Sequence, residues 1–280
     1  MKRRIMSLAA LLALVGIFAC PVLAADAPSK PAGEQIFAKA IELVGPPTDA
    51  PKELLLKSGD QIVCMGDSIT AGGGYLRQMD AMFAQQYPDL NLPKIINAGI
   101  SGHKAENCIA RFDRDVLKKK PALMTLNIGI NDVWHRLRKP HDTKILATFK
   151  ENVGKMIDQA QQAGIKVILL APTVIKEDLK AEGQKRLALY ANAMRQLSVE
   201  KKCGFVDLHK MFLDALAKKP ADMKGNWLTR DGVHMKPLGD AIMALAALRG
   251  MGVPDKKSAA TIIAPPKPRK PRKPRPKKTK

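Results

Sequence analysis

Three observations place this 280-residue chain in the α/β class and predict a three-layer α/β/α sandwich around a five-stranded parallel sheet. Five short apolar runs alternate with helical stretches, the pattern of strands joined by crossover helices. The runs at 62–65 and 122–128 are mostly apolar rather than alternating, as strands covered on both faces are. No other stretch holds enough apolar residues for a core of its own, and no internal repeat is visible, so one folded domain is expected over residues 54–252.

In chain order, residues 35–44 have helical spacing, with Ile36, Phe37, Ala40, Ile41 and Val44 on one face before Gly45-Pro46-Pro47 ends the helix. They sit in a stretch, 25–53, that reads as a linker with one short helix. Residues 61–66 form the first predicted strand. A glycine-rich turn at 72–74 leads to a helix over 75–86, with Leu76, Met79, Met82 and Phe83 inward. That turn holds neither Gly-x-Gly-x-x-Gly nor a Gly-Lys-Ser/Thr pair, which argues against a phosphate cradle. Strands follow at 94–98, 122–128, 166–171 and 203–207. Between them helices are predicted over 105–119, 150–163 (stopped by Gly164) and 184–202. A helix over 208–217 and a last one starting near Pro237, with Leu238, Ala241, Ile242, Leu245 and Leu248 as its stripe, complete the domain.

Charge is unevenly placed. The chain carries +21 formally, but residues 256–280 hold eleven Lys and Arg and no acid, and Lys2, Arg3 and Arg4 open the chain. From Pro265 onward proline alternates with lysine and arginine, a composition that buries no core, so 253–280 reads as a disordered, partly polyproline II tail. Its plain role is solvation; its functional role is to hold an anionic polymer or surface by charge. Residues 1–24 read as an export signal: a basic start, an apolar run over 5–19, and Val22-Leu23-Ala24 as a cleavage site. The run is short for a membrane span, so no integral membrane protein is expected once the signal is removed. Ile17-Phe18-Ala19-Cys20 loosely resembles a lipoprotein cleavage box, but Phe18 and Pro21 fit it poorly. Export, to a periplasmic, cell-surface or extracellular location, argues against a genomic nucleic-acid role. Cys64, Cys108 and Cys203 would remain, an odd number that gives no disulfide framework; Cys64 and Cys203 read as small core residues.

Four short motifs fall after strand ends or in the last loop: Gly66-Asp67-Ser68, Gly99-Ile100-Ser101-Gly102, Gly129-Ile130-Asn131-Asp132, and Asp231-x-x-His234. Each alone has an ordinary explanation. Asp67 and Ser68 are turn and cap residues, Gly102 and Asn131 are turn residues, Asp231 caps the last helix, and His234 lies on the surface. In this order the four resemble the SGNH hydrolases, the GDSL-like lipases and acylhydrolases, over roughly residues 61–248. The segments Asn127-Ile128-Gly129-Ile130-Asn131-Asp132-Val133-Trp134 and Thr229-Arg230-Asp231-Gly232-Val233-His234 resemble that family as well.

Acyl transfer from an ester needs these residue types. A serine hydroxyl is inert at neutral pH until a base takes its proton, and the base needs a group to hold its tautomer. Ser68, His234 and Asp231 are the candidates. The resemblance implies a flavodoxin-like fold and an oxyanion hole made by the backbone N–H groups of Ser68 and Gly102 and the side-chain amide of Asn131. Residues 66–70 do not match the Gly-x-Ser-x-Gly elbow of the α/β-hydrolases. Asp67 and Asp132 read as structural; using them as a glycosidase carboxylate pair would leave serine and histidine idle. His103, beside Gly102, and His135 and His141, after the asparagine motif, are candidates to line the pocket. His209 reads as structural. The histidines lack metal-site spacing, and the expected mechanism uses no metal or cofactor. The expectation is therefore an exported serine esterase for short-chain esters, carbohydrate O-acetyl groups among them. The rival is an idle esterase-like protein that binds an anionic polymer through residues 256–280.

Overall fold

A run such as Ile62-Val63-Cys64-Met65 persists as a strand only where both sheet faces are covered, and in the computed structural model of the protein all four side chains are fully buried. The structure describes residues 32–47 and 50–263. In chain order they form α1 (Ala32–Val44), β1 (Ile62–Gly66), α2 (Ser68–Gly72), α3 (Gly74–Gln86), β2 (Ile96–Gly99), α4 (Ala105–Ala110) and α5 (Phe112–Asp115). Then come β3 (Leu123–Asn127), α6 (Ile130–Trp134), α7 (Thr143–Gln162), β4 (Lys166–Leu170), α8 (Glu182–Glu200), β5 (Gly204–Val206), α9 (Leu208–Ala217), α10 (Pro237–Gly250) and α11 (Asp255–Ala259).

The five strands make one parallel sheet in the order β2-β1-β3-β4-β5. This is the flavodoxin-like order, in which the chain steps from β1 to one side and then returns past it. Register sets Gly66 opposite both Gly99 and Asn127, so β1, β2 and β3 end level with one another. The loops after these strands therefore open at one edge, at the point where the direction of winding reverses. Helix α10 packs against α3 and α1, while α7 is flanked by α4 and α8. The two groups cover the two faces of the sheet.

Helix α10 is buried almost all round, from Gly239 to Gly250 apart from the half-buried Asp240, because it lies between the sheet and α1. At its end Arg249 is buried, pairs through two nitrogens with Asp255 at 2.8 and 2.7 Å, and donates to the Gly45 carbonyl at 2.7 Å. One guanidinium thus ties the ends of α1 and α10 to α11.

The strands lie within two residues of their predicted bounds, but four expectations change. Helix α1, expected in a linker, belongs to the core, where Phe37, Ala40 and Leu43 are buried. The helix predicted over 105–119 breaks at Arg111, whose side chain turns inward to backbone carbonyls. The helix predicted from 150 begins at Thr143, capped by the Asp142 carboxylate, which accepts from the Lys144 N–H. Ordered structure runs past the expected domain end at 252 through α11, with Ser258 and Thr261 buried. The export signal, 1–24, and most of the basic tail, 264–280, lie outside the described residues.

Candidate active site

Asp67 is the N-cap of α2, its carboxylate accepting the Ile69 N–H at 2.9 Å. The cap sets Ser68 at the first position of the helix, half-buried, directly above the end of β1. Burial pushes the Asp67 carboxyl up to about 6, against the pull of the Ile69 N–H and of His234.

The loop after β2 reaches Gly102 at φ +80°, the left-handed region that glycine occupies without strain. A Cβ there would meet nothing within 4 Å, so the backbone angle, and not crowding, is what calls for glycine. Asn131 follows β3 within α6 and is buried; one of its amide hydrogens goes to the His103 carbonyl at 3.0 Å. That bond fixes the plane of the amide and leaves the second N–H free to donate.

Arg111 ties these loops together from below. Its guanidinium donates to the Gly66 carbonyl at 3.1 Å, the Ala98 carbonyl at 2.8 Å and Asp115 at 2.8 Å. Its Nε donates to His103 Nδ1 at 3.1 Å, which assigns that nitrogen as an acceptor and puts the ring proton on Nε2. Burial and the neighbouring guanidinium lower the pKa of His103, consistent with a neutral ring.

The fourth motif lies in a loop without regular structure. Asp231 accepts the His234 N–H at 2.8 Å and the Val233 N–H at 3.1 Å on one oxygen, and meets His234 Nδ1 at 2.6 Å with the other. His234 Nε2 lies 2.9 Å from Ser68 Oγ. Burial alone would raise the Asp231 carboxyl; the hydrogen bonds from the backbone and ring of His234 and the Val233 N–H outweigh it and hold the group at about 2. Asp231 does not cap α10, whose first turn begins after Lys236. The site is open: the Asp231 side chain keeps 54% of its surface and that of His234 36%.

The loop is held by a residue that the sequence did not single out. Glu177, after β4, accepts the N–H groups of Trp227, Leu228 and Thr229 at 2.5, 2.8 and 2.6 Å and the Thr229 hydroxyl at 2.7 Å. Beside it the Lys176 N–H donates to the Gly232 carbonyl at 2.7 Å. A glutamate in a loop carries no local signal, so only the fold brings it forward. Lys176 at φ +64° and Gly232 at φ +93° mark the place where the two loops meet.

The remaining candidates lie elsewhere. His135 and His141 are exposed, and His141 lines a small recess with Asp132, Arg136, Arg186 and Tyr190, outside the bonded chain from Asp231 to Ser68. His209 is buried, bonded through Nδ1 to the Thr173 carbonyl at 2.6 Å. Asp132 is buried with one oxygen against the Ala105 N–H at 3.4 Å and the other without a partner; burial pushes its carboxyl up to about 7. Burial also pushes the thiols of Cys64 and Cys108 up to about 12 and that of Cys203 up to about 11, which keeps them protonated and unreactive. Among the described residues no group of three or more His, Cys, Asp or Glu is placed to hold a metal ion.

The model of the GDSL-like lipase/acylhydrolase family matches residues 64–242. The chain belongs to that family. It is a carboxylic ester hydrolase of the SGNH type. An acetylxylan esterase from Geobacillus stearothermophilus is 27% identical over 214 residues, 70% of this chain and 95% of that one. The crystal structure of Axe2, an acetylxylan esterase from the same organism, superposes with a TM-score of 0.64 at 26% identity, covering 72% of this chain and 98% of its own. Catalytic mutants of Axe2 replace a serine, an aspartate or a histidine by alanine, the aspartate and histidine being three residues apart. The uncharacterized lipoprotein YqeF of Bacillus subtilis strain 168 is 29% identical over 213 residues, 66% of this chain and 86% of that one.

Proposed function

We propose that the protein is an exported serine esterase that removes short acyl groups, acetyl on a carbohydrate chain foremost, through an acyl-enzyme. The observation that carries this reading is the bonded series from Asp231 through His234 to Ser68, at 2.6 and 2.9 Å.

The chemistry follows from the geometry. Ser68 Oγ attacks the ester carbonyl while His234 Nε2 takes its proton. Asp231 stays ionised, holds the ring by Nδ1 and stabilises the imidazolium that forms. The carbonyl oxygen becomes an anion facing the N–H groups of Ser68 and Gly102 and the free amide hydrogen of Asn131. The C–O bond to the alcohol then breaks, and His234 returns the proton to the departing oxygen. Water repeats the sequence on the acyl-serine, giving the acid and free Ser68.

Three features support a short acyl group on a large alcohol. The site is open, so a polymer chain can lie across it while one substituent reaches Ser68. The connection from residue 135 to 142 is largely polar and basic, without a long apolar lid. Relatives in the family include an esterase named for acetylxylan, nearly all of whose length this chain covers. Export rests on the character of residues 1–24 and agrees with one relative being named a lipoprotein. No helix among the described residues is long and apolar enough to cross a membrane. The basic residues of 256–280 would hold the enzyme to an anionic polymer or surface.

The test is hydrolysis of p-nitrophenyl acetate, butyrate and a long-chain ester, together with acetate release from acetylated xylan, by wild type and Ser68→Ala. Turnover of acetate and xylan that disappears in the variant is the expected result. Equal rates from both proteins would remove Ser68 as nucleophile; cleavage of long-chain esters alone would overturn the short-acyl reading. Binding of polymer without turnover would leave the idle binding protein.

A further inference from the structure

We infer that Glu177 is a positioning residue for the reaction: its carboxylate holds the loop that presents Asp231 and His234 to Ser68. The inference rests on the esterase reading above and goes beyond it by naming a residue outside the four motifs.

The loop from Trp227 to Met235 has no helix or strand to keep its shape. Its internal polar ties are one antiparallel bridge between Thr229 and Met235, the Arg230 N–H on the His234 carbonyl at 2.7 Å, the Gly232 N–H on the Thr229 hydroxyl at 3.1 Å, and the Val233 and His234 N–H groups on the Asp231 carboxylate. The buried side chains of Leu228, Val233 and Met235 seat the loop on the core, but none of these polar ties reaches another loop. Glu177 makes that link, taking four donors from three consecutive residues. Only an ionised carboxylate offers acceptors alone and enough of them for four donors.

The bonds also form a relay. The Thr229 hydroxyl donates to Glu177, so its lone pairs face the Gly232 N–H that it accepts. Gly232 lies between Asp231 and His234 in the turn that aims the ring, and its carbonyl is held by the Lys176 N–H. Glu177 thus acts two hydrogen bonds away from Gly232, two residues before the base. It touches no reacting atom; its effect is to keep His234 Nε2 at 2.9 Å from Ser68 Oγ.

Displacements of about 1 Å at a reacting group cost about 10²-fold in rate. Glu177→Gln keeps size but turns an NH₂ toward a backbone donor. It is expected to lower kcat on p-nitrophenyl acetate by roughly 10- to 100-fold with KM within about 2-fold of wild type. The downfield proton resonance of the His234 Nδ1–Asp231 hydrogen bond should broaden or vanish. Thr229→Val, which removes only the relay hydroxyl, should lower kcat less, and Thr229→Ser should restore it. Leu197→Ala, a cavity near the far end of α8, thirteen residues or about 20 Å along the helix from the Gln184 that touches the Glu177 segment, should lower Tm and leave both kcat and the resonance in place.

A folded Glu177→Gln with wild-type kcat and an unchanged resonance overturns the inference. So does a loss of kcat that Leu197→Ala reproduces at equal loss of Tm. Should Glu177→Gln fail to fold, Thr229→Val decides, since unchanged kcat there removes the relay. Ser68→Ala runs in parallel: turnover surviving in it would sink the esterase reading itself, separately from Glu177.

Discussion

The two halves of the site are built on different kinds of backbone. Ser68, Gly102 and Asn131 stand at the level ends of three paired strands, and Ser68 and Asn131 lie in short helices whose neighbours Ile69, Ile130 and Val133 are buried. Asp231 and His234 stand on an irregular loop seated by the buried side chains of Leu228, Val233 and Met235 and held on its polar side by one carboxylate. Strand ends and ladder bonds position Ser68, Gly102 and Asn131; hydrogen bonds from another loop add to packing in positioning Asp231 and His234. The contrast extends to charge. Burial raises the carboxyls of Asp67 and Asp132 in the first half, whereas Asp231 in the second is stabilised as an anion. One half buries its carboxyls; the other is exposed and keeps its charge.

The largest effects come from removing the groups that bridge the halves. Ser68→Ala and His234→Ala should each lower kcat by on the order of 10⁴–10⁶-fold, without additivity in the double variant, because the two act as a unit. Steady-state rates on p-nitrophenyl acetate check this. Asn131→Ala should cost roughly 10²–10³-fold in kcat, as expected for one oxyanion donor. Loss of its bond to the His103 carbonyl should add disorder around Gly102, visible as slower acylation in stopped flow.

A pair of glycine substitutions separates the halves more finely. At Gly66 a Cβ would lie 2.2 Å from Thr70 Oγ1 and 2.6 Å from the Asn127 carbonyl oxygen, in the half built on strand ends. Gly66→Ala should therefore lower Tm by roughly 5–10 °C. At Gly232, at φ +93° with Lys176 Cα 3.1 Å from a Cβ, the cost falls on the loop. Gly232→Ala should reduce kcat by about 10-fold and shift Tm by about 3 °C or less. Equal damage to Tm from both would erase the distinction drawn between the halves.

The smallest effect is on pH dependence. Asp67 and Asp132 have carboxyls raised by burial to about 6 and about 7. A carboxyl raised on folding favours the native state fully below its unfolded pKa, and that contribution is lost as pH rises through the folded value. Tm should thus decline from about pH 4 to about pH 7 on account of this pair. Asp132→Asn removes the larger part, so its melting curve should be flatter over that window and lie roughly 5 °C above wild type at pH 8. Asp231, held at about 2, contributes in the opposite sense and only in stronger acid. Calorimetric scans at pH 5 and pH 8 on both proteins suffice.

The sheet was legible because its signal is local. Runs such as Lys166–Leu170 are apolar, short and bounded by glycine or proline, and the structure moves their ends by two residues at most. The short helices α2 and α6 were not legible, since Gly-Asp-Ser and Gly-Ile-Asn-Asp read equally as turns and tertiary burial of Ile69 and Val133 decides between the two. The break at Arg111 depends on carbonyls at Gly66 and Ala98, far away in sequence. For the site, Ser68, Gly102, Asn131, Asp231 and His234 could be named because they fall in motifs. Glu177 and Arg111 could not, because their donors and acceptors come from other loops and no spacing announces them. The start of α7 was readable from the Asp142-Thr143 cap, but its regular apolar face begins only at Phe149 and Val153, and periodicity drew attention past the cap.

The burial of α10 has a consequence for how the enzyme comes into being. The helix that fills the centre of one layer, together with the loop that carries the base, is among the last parts of the domain to be synthesised, and its partner α1 is among the first. The contacts between them span most of the chain, so a growing polypeptide can make helices and neighbouring strands but cannot close its core. Helix α10 and His234 both belong to about the last fifth of the chain, so the segment that completes the core is also the one that brings His234 to Ser68.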